Sequence, residues 1–257
     1  MRAPALLVAV ATAVALVTGP VSPAGAAGSG AEPPAQDWSF SGVFGTYDRA
    51  ELQRGFQVYA EVCAACHSLD YIAFRNLTDL GFSETEVKAI AAEYEVPAAP
   101  DENGEVFPRP ATPADRFPAP FENANAARAS NNGALPPDLS LIVEARAGGA
   151  DYINAVLVGY ADPPSDTDMA DGMSYNSHFP GGQIAMPPPL FEEGVTYADG
   201  TAATVVQQAR DVTAFLAWAS EPNMEERKRM GVMTMIFLVV MTGLLYVSKR
   251  RIWSDVH

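Results

Sequence analysis

Two stretches of the chain are apolar without interruption, and between them apolar side chains recur at helical rather than alternating spacing. The first run, Leu6 to Val17, follows a single base at Arg2 and precedes a Gly-Pro break and small residues at Ala24 and Ala26. That order predicts a secretory signal peptide over residues 1–26; the run is too short, and too broken by Pro20 and Pro23, to cross a bilayer. The second run, Met230 to Ser248, holds nineteen residues without a charge and lies between Arg227-Lys228-Arg229 and Lys249-Arg250-Arg251. As a helix it would reach about 28 Å, close to the hydrocarbon thickness, so residues 230–248 are predicted to be transmembrane. A signal peptide sends everything before Met230 across the membrane and leaves residues 249–257 as a short cytoplasmic tail.

Residues 27–40, a Gly, Ala and Pro lead-in, read as linker, and residues 41–224 as the exported domain. Within it Asp48 is placed to cap a helix whose apolar positions Leu52, Phe56 and Tyr59 run on into Val62. Ser83 caps a second helix over 84–94 with Val87, Ile90 and Ala91 on one face. Val205, Ala209, Val212, Leu216 and Ala219 mark an amphipathic helix that ends before Pro222. Residues 138–146 and 152–158 read as short helices around Gly148-Gly149. The stretch 97–120 carries seven prolines and 162–189 six, which predicts irregular loops, and no segment alternates well enough to predict a sheet. The expected fold is mainly α with long irregular loops, plus one C-terminal transmembrane helix.

Charge narrows the partners. Thirty-one acids against sixteen bases give the chain a formal charge of −15, which argues against a nucleic-acid surface. Residues 28–224 alone hold 28 acids and nine bases, a net charge of about −19. Only two cysteines occur, and they stand together with a histidine as Cys63-Ala64-Ala65-Cys66-His67. Two thiols on one turn can add to the two vinyl groups of a haem while the adjacent imidazole meets the iron, so this spacing points to a covalent haem c. A zinc site and a redox dithiol are the alternatives: the first needs about four ligands, with only His178 and His257 to add, and the second a thioredoxin-like alternation of strands and helices. For a sixth ligand, the methionines outside the apolar runs and their margins are Met169, Met173 and Met186. Met186 precedes three prolines that stiffen its backbone, and His178 competes with it. An open haem site, as in an enzyme or a gas sensor, would leave Met186 as packing.

Several longer segments carry a resemblance. Asn131-Asn132-Gly133-Ala134-Leu135-Pro136-Pro137-Asp138-Leu139-Ser140, Phe179-Pro180-Gly181, Ile184-Ala185-Met186-Pro187-Pro188 and Arg227-Lys228-Arg229-Met230-Gly231 follow the Cys-x-x-Cys-His motif in that order. Over most of residues 40–253 the chain resembles cytochrome c1, the haem subunit of the quinol:cytochrome c oxidoreductase (cytochrome bc1) complex, in its bacterial form. The resemblance implies a class I c-type cytochrome domain in which the first helix crosses the 205–219 helix. It implies thioethers at Cys63 and Cys66, His67 and Met186 on the iron, the Pro136 carbonyl accepting the His67 ring N–H, and Arg146 at a haem propionate. Asn131, Tyr152, Phe179 and Ile184 match haem-pocket positions. The implied partners are cytochrome b and the Rieske iron–sulfur protein in a membrane complex, dimeric in the family, with a basic cytochrome c as acceptor. The implied place is a bacterial inner membrane with the haem domain on the periplasmic side. The chain would act as the electron-transfer subunit of a proton-translocating oxidoreductase and make no bonds itself. It lacks a further cysteine pair, so any disulfide known in that family cannot form here.

Overall fold

A computed structural model describes residues 30–254; the expected signal peptide and the end of the tail lie outside them. Helix α1, Arg49–Glu61, begins where the Asp48 carboxylate accepts the N–H groups of Ala50 and Glu51. A 3₁₀ turn, Cys63–Ala65, follows at once, and a second, Phe74–Leu80, comes after a short irregular stretch with a turn at 70–71. Helix α2, Glu84–Ala92, opens with a reciprocal cap in which the Ser83 hydroxyl accepts the Glu86 N–H and the Glu86 carboxylate accepts the Ser83 N–H. Strands β1, Glu95–Pro97, and β2, Pro108–Pro110, pair antiparallel. Next come α3, Ala124–Ser130, and α4, Gly149–Val158. A small antiparallel pair follows, β3, Ser174–Tyr175, with β4, Gln183–Ile184. Last are α5, Val205–Ser220, and α6, Met224–Ile252.

The most extensive helix contact among the described residues is between α1 and α5, both of which were read from their apolar period. Leu52, Phe56 and Tyr59 on α1 and Val212, Phe215 and Trp218 on α5 are buried together. The helices approach so closely that a Cβ on Gly55 would lie 2.0 Å from the Asp211 carbonyl oxygen. Two ion pairs pin the crossing: Arg54 reaches both oxygens of the fully buried Asp211 at 3.0 Å, and Glu51 meets Arg210 at 3.0 Å. Aromatic rings of Phe56, Tyr59, Phe74 and Phe117 fill the space between α1 and the second 3₁₀ turn.

Three local expectations are corrected. Residues 138–146 form turns, not a helix, because the Asp138 carboxylate accepts the N–H groups of Asp70 and Ser140 and so draws the segment onto the preceding loop. The proline-rich stretch is not wholly irregular: Pro97 and Pro108 face each other at the end of a two-stranded ribbon, where an edge strand tolerates a missing donor. The lead-in is not free either, since Trp38 is buried and its indole N–H donates to Asp151 at 2.7 Å. Helix α6 is 29 residues long, with its apolar stretch unburied in the chain, long and apolar enough to cross a membrane.

Candidate haem site

The site is built by two segments that α1, α4 and α5 hold in position. On one side, α1 delivers the chain into the first 3₁₀ turn, where the N–H groups of Cys66 and His67 both bond the Cys63 carbonyl, at 3.1 and 2.9 Å. Both thiols and the imidazole therefore leave a single tight turn. Cys63 is half-buried against the core and Cys66 is exposed. Burial, and next the neighbouring Cys66, push the Cys63 thiol up to about 12. A redox dithiol needs the opposite, a thiol whose ionised form is favoured. Among the described residues no three His, Cys, Asp or Glu side chains gather as a metal cluster, which removes support from zinc.

The His67 ring is fixed through the segment that follows the double proline. Its Nδ1 lies 2.8 Å from the Pro137 carbonyl, which can only accept, so Nδ1 carries the proton and the Nε2 lone pair is free to bind a metal. This corrects the expectation for Pro136: the bond falls one residue later. The register is set by Asp138, whose carboxylate accepts the Ser68 hydroxyl at 2.7 Å and the Asp70 N–H at 2.8 Å. The Leu139 N–H bonds the Ser68 carbonyl, and the Ser140 hydroxyl accepts the Tyr71 N–H. With Asp138 held there, the carbonyl before it faces His67. Burial lowers the His67 pKa, and the bond to Pro137 and the Asp138 charge oppose that shift. For Asp138, burial works upward, but the bonds from Asp70, Ser140 and Ser68 outweigh it and hold its carboxyl below the ordinary aspartate range.

The other side is organised by Asn176, which the sequence did not single out. It is fully buried, donates to the Val156 carbonyl at 2.7 Å, and its Oδ1 accepts the N–H groups of His178 and Phe179. This closes the turn between β3 and β4. Ile184 on β4 is buried and Phe179 half-buried. Two residues past the strand comes Met186, half-buried, with its carbonyl accepting the Tyr160 hydroxyl at 3.1 Å. The competitor His178 is used otherwise: its Nδ1 lies 3.1 Å from the Ala31 carbonyl, and its ring sits over Gly159, where a Cβ would lie 2.7 Å from Cδ2.

Asn131 ends α3, donating to the Ala127 carbonyl at 2.7 Å, and the chain then turns through left-handed Asn132 (φ 50) and Gly133 (φ 84). Asn132 packs against Gly172, where a Cβ would lie 2.2 Å from its amide nitrogen. Arg146 makes no ion pair among the described residues and stands near Tyr152: burial raises the Tyr152 pKa and the Arg146 charge lowers it. Arg146 also lines a cavity of about 300 Å³ with Phe40, Tyr47 and Glu221.

The donor set fits a haem iron: a neutral imidazole with its far nitrogen free, two unpaired thiols on the same turn, and a thioether held by its own carbonyl. Exposed Tyr71, Leu135, Leu141 and Met173 on the flanking segments supply the apolar surface a porphyrin needs. Crossed first and last domain helices, with this turn at the end of the first, define a class I c-type cytochrome domain. A profile of the Cytochrome C1 family matches residues 38–256. Cytochrome c1 of Rhodospirillum rubrum is 49% identical over 86% of this chain and 87% of its own. Cytochrome c1, heme protein, mitochondrial, of Saccharomyces cerevisiae is 49% identical over 90% of this chain and 75% of its own. Cytochrome b/c1 of Bradyrhizobium diazoefficiens is 45% identical over 97% of this chain, which spans 40% of that longer protein. The chain belongs to the cytochrome c1 family, haem proteins of electron transport.

Proposed function

We propose that this protein is a monohaem c-type cytochrome of a quinol:cytochrome c oxidoreductase, taking electrons from a Rieske iron–sulfur protein and passing them to a basic cytochrome c. The observation that carries the reading is the His67 Nδ1 to Pro137 bond of 2.8 Å, which leaves a fixed, metal-ready nitrogen beside two thiols. When bound, the haem supplies one-electron cycling of its iron. The chain does the rest. Cys63 and Cys66 would hold the group through thioethers, His67 and Met186 would ligate its iron, and a thioether ligand would favour a relatively high potential. Ile184, Phe179 and Tyr152 exclude water, Asn131 shapes the turn beside the group, and Arg146 offsets a propionate charge.

The fused cytochrome b/c1 relative supports cytochrome b as the membrane partner. The assembly is a dimer in a bacterial inner membrane, with α6 as a single span, the haem domain periplasmic and the C-terminus cytoplasmic. The test is the spectrum of the purified haem-loaded chain and of Met186→Leu. The wild type shows the weak near-infrared band of Met-ligated ferric haem, and pyridine treatment leaves the haem on the protein. The variant keeps the haem, loses the band, binds carbon monoxide when reduced, and falls in potential by a sizeable part of the roughly 0.8 V over which axial ligands tune haem iron. A variant with the native band and potential refutes the ligand assignment.

A further inference from the structure

The segment that leads into α1 forms a closed loop against the start of α6. The Ser41 N–H bonds the Trp38 carbonyl at 3.0 Å and the Thr46 N–H bonds the Ser39 carbonyl at 3.1 Å. Gly42 turns at φ 72, and Gly45 packs so tightly that a Cβ would lie 2.1 Å from the Ser41 carbonyl oxygen. Phe40 stacks on Trp38 at a ring distance of 5.4 Å and meets Tyr47 tilted at 5.2 Å, and the Tyr47 hydroxyl donates to the Ala217 carbonyl. The loop therefore has a set shape. Its tip carries Val43, 62% exposed, and Phe44, 85% exposed.

Lys228 fixes where that tip stands. Its Nζ donates to the carbonyls of Phe40, at 2.6 Å, and Gly45, at 3.1 Å, one on each side of the tip. The Tyr47 N–H donates to Glu225 at 2.8 Å, and Arg49 pairs with the same carboxylate at 2.9 Å. Lys228 precedes Met230, the first residue of the uncharged run, by about 3 Å along a helix axis. Lys228 thus ties both flanks of the tip within a few ångströms, along the helix axis, of the point where α6 changes from charged to apolar and its exposed residues Met230 and Met233 begin. A rigid apolar tip at that height matches the boundary between headgroups and acyl chains, and Arg229, with 73% of its side chain exposed, matches the headgroup phosphates.

We propose that Val43 and Phe44 form a foot that inserts into the lipid interface beside the span, giving the domain a second point of contact with the bilayer. This rests on reading α6 as a membrane span. The test uses the full-length haem-loaded chain in nanodiscs of mixed phosphatidylcholine and phosphatidylglycerol, spin-labelled through Phe44→Cys, Glu105→Cys or Leu238→Cys, with the unsubstituted chain as the labelling blank. Collision with oxygen against a water-soluble nickel chelate reports depth. The expected ratio at position 44 is several-fold above that at 105 and below that at 238. A ratio equal to that at 105 overturns the foot while 238 still reads lipid, so the span reading survives. Protection of the label from both reagents also overturns it, in favour of a protein partner. An aqueous reading at 238 overturns the span reading and the foot with it.

Discussion

Replacing Asp138 by Asn isolates the contact that gives His67 its register. The carboxylate takes three donors, Ser68 Oγ at 2.7 Å, the Asp70 N–H at 2.8 Å and the Ser140 N–H at 2.9 Å, two on Oδ2 and one on Oδ1. An amide has one accepting oxygen, so whichever way it turns at least one N–H or O–H faces its NH₂ group and the remaining bonds lose their charge. A lost charge-assisted bond with an unsatisfied donor costs about 1.5–3 kcal/mol, so the expected loss at neutral pH is about 2 kcal/mol. The pH dependence follows from the sign of the shift. The folded carboxyl lies below its ordinary range, so its stabilisation is fully present above that range and is lost as pH falls through the folded value. Asp70, raised by burial and then by the Asp138 charge, opposes this in part. Denaturant unfolding of the haem-loaded chain, followed by circular dichroism from neutral pH down to about pH 3, should show the deficit shrinking on acidification. An Asn variant as stable as the wild type at pH 7, or a deficit that stays constant down the whole series, would refute the argument.

Gly55→Ala should lower stability by about 2–3 kcal/mol despite the ~1 kcal/mol that alanine gains in a helix, because its Cβ meets the Asp211 carbonyl at 2.0 Å. Gly231→Ala, also inside a helix but with nothing within 4 Å, should be no less stable than the wild type, and at most about 1 kcal/mol more stable, in the same denaturant series. Electron transfer to a basic cytochrome c, measured by stopped flow, should slow at least about tenfold as the Debye length shrinks from about 30 Å at 0.01 M salt to 8 Å at 0.15 M. A rate indifferent to salt would remove charge steering by the acidic domain.

Period together with the caps Asp48 and Ser83 made α1 and α2 legible, and period alone made α5 legible, because each buries a face visible in the sequence. The same logic failed at residues 138–146. Leu139, Ile142 and Val143 are spaced as on a helix and all are buried, yet Asp138 spends its acceptors on Ser68 and Asp70, some seventy residues away, and the local turn geometry follows that distant tie. The turn carrying Cys63, Cys66 and His67 was legible because its chemistry is local to a five-residue motif. Asn176 was not, since a buried asparagine that closes a turn carries no spacing signal, and its importance lies in the Val156 carbonyl it reaches across the fold. The base cluster at 227–229 was read as a membrane flank and as part of a family-like segment, and nothing in its sequence marks Lys228 as the clasp of the 40–45 loop.

The junction between domain and anchor decides how the site meets its partners. Only Glu221, Pro222 and Asn223 separate α5 from α6, and Met224 is already buried in the domain core, so the anchor is no flexible tether. Tyr47 and Arg49 hold Glu225 at one end of α1, while Cys63 follows the other end. The thirteen residues of α1 put about 20 Å of helix between the clasp and the thiols. At physiological salt that is more than two Debye lengths. The bases that flank the span therefore contribute little field at the site, and a cationic acceptor of the kind proposed would meet, at the Cys63 to His67 turn, the potential of the acidic domain undiluted by the positive charge at the membrane.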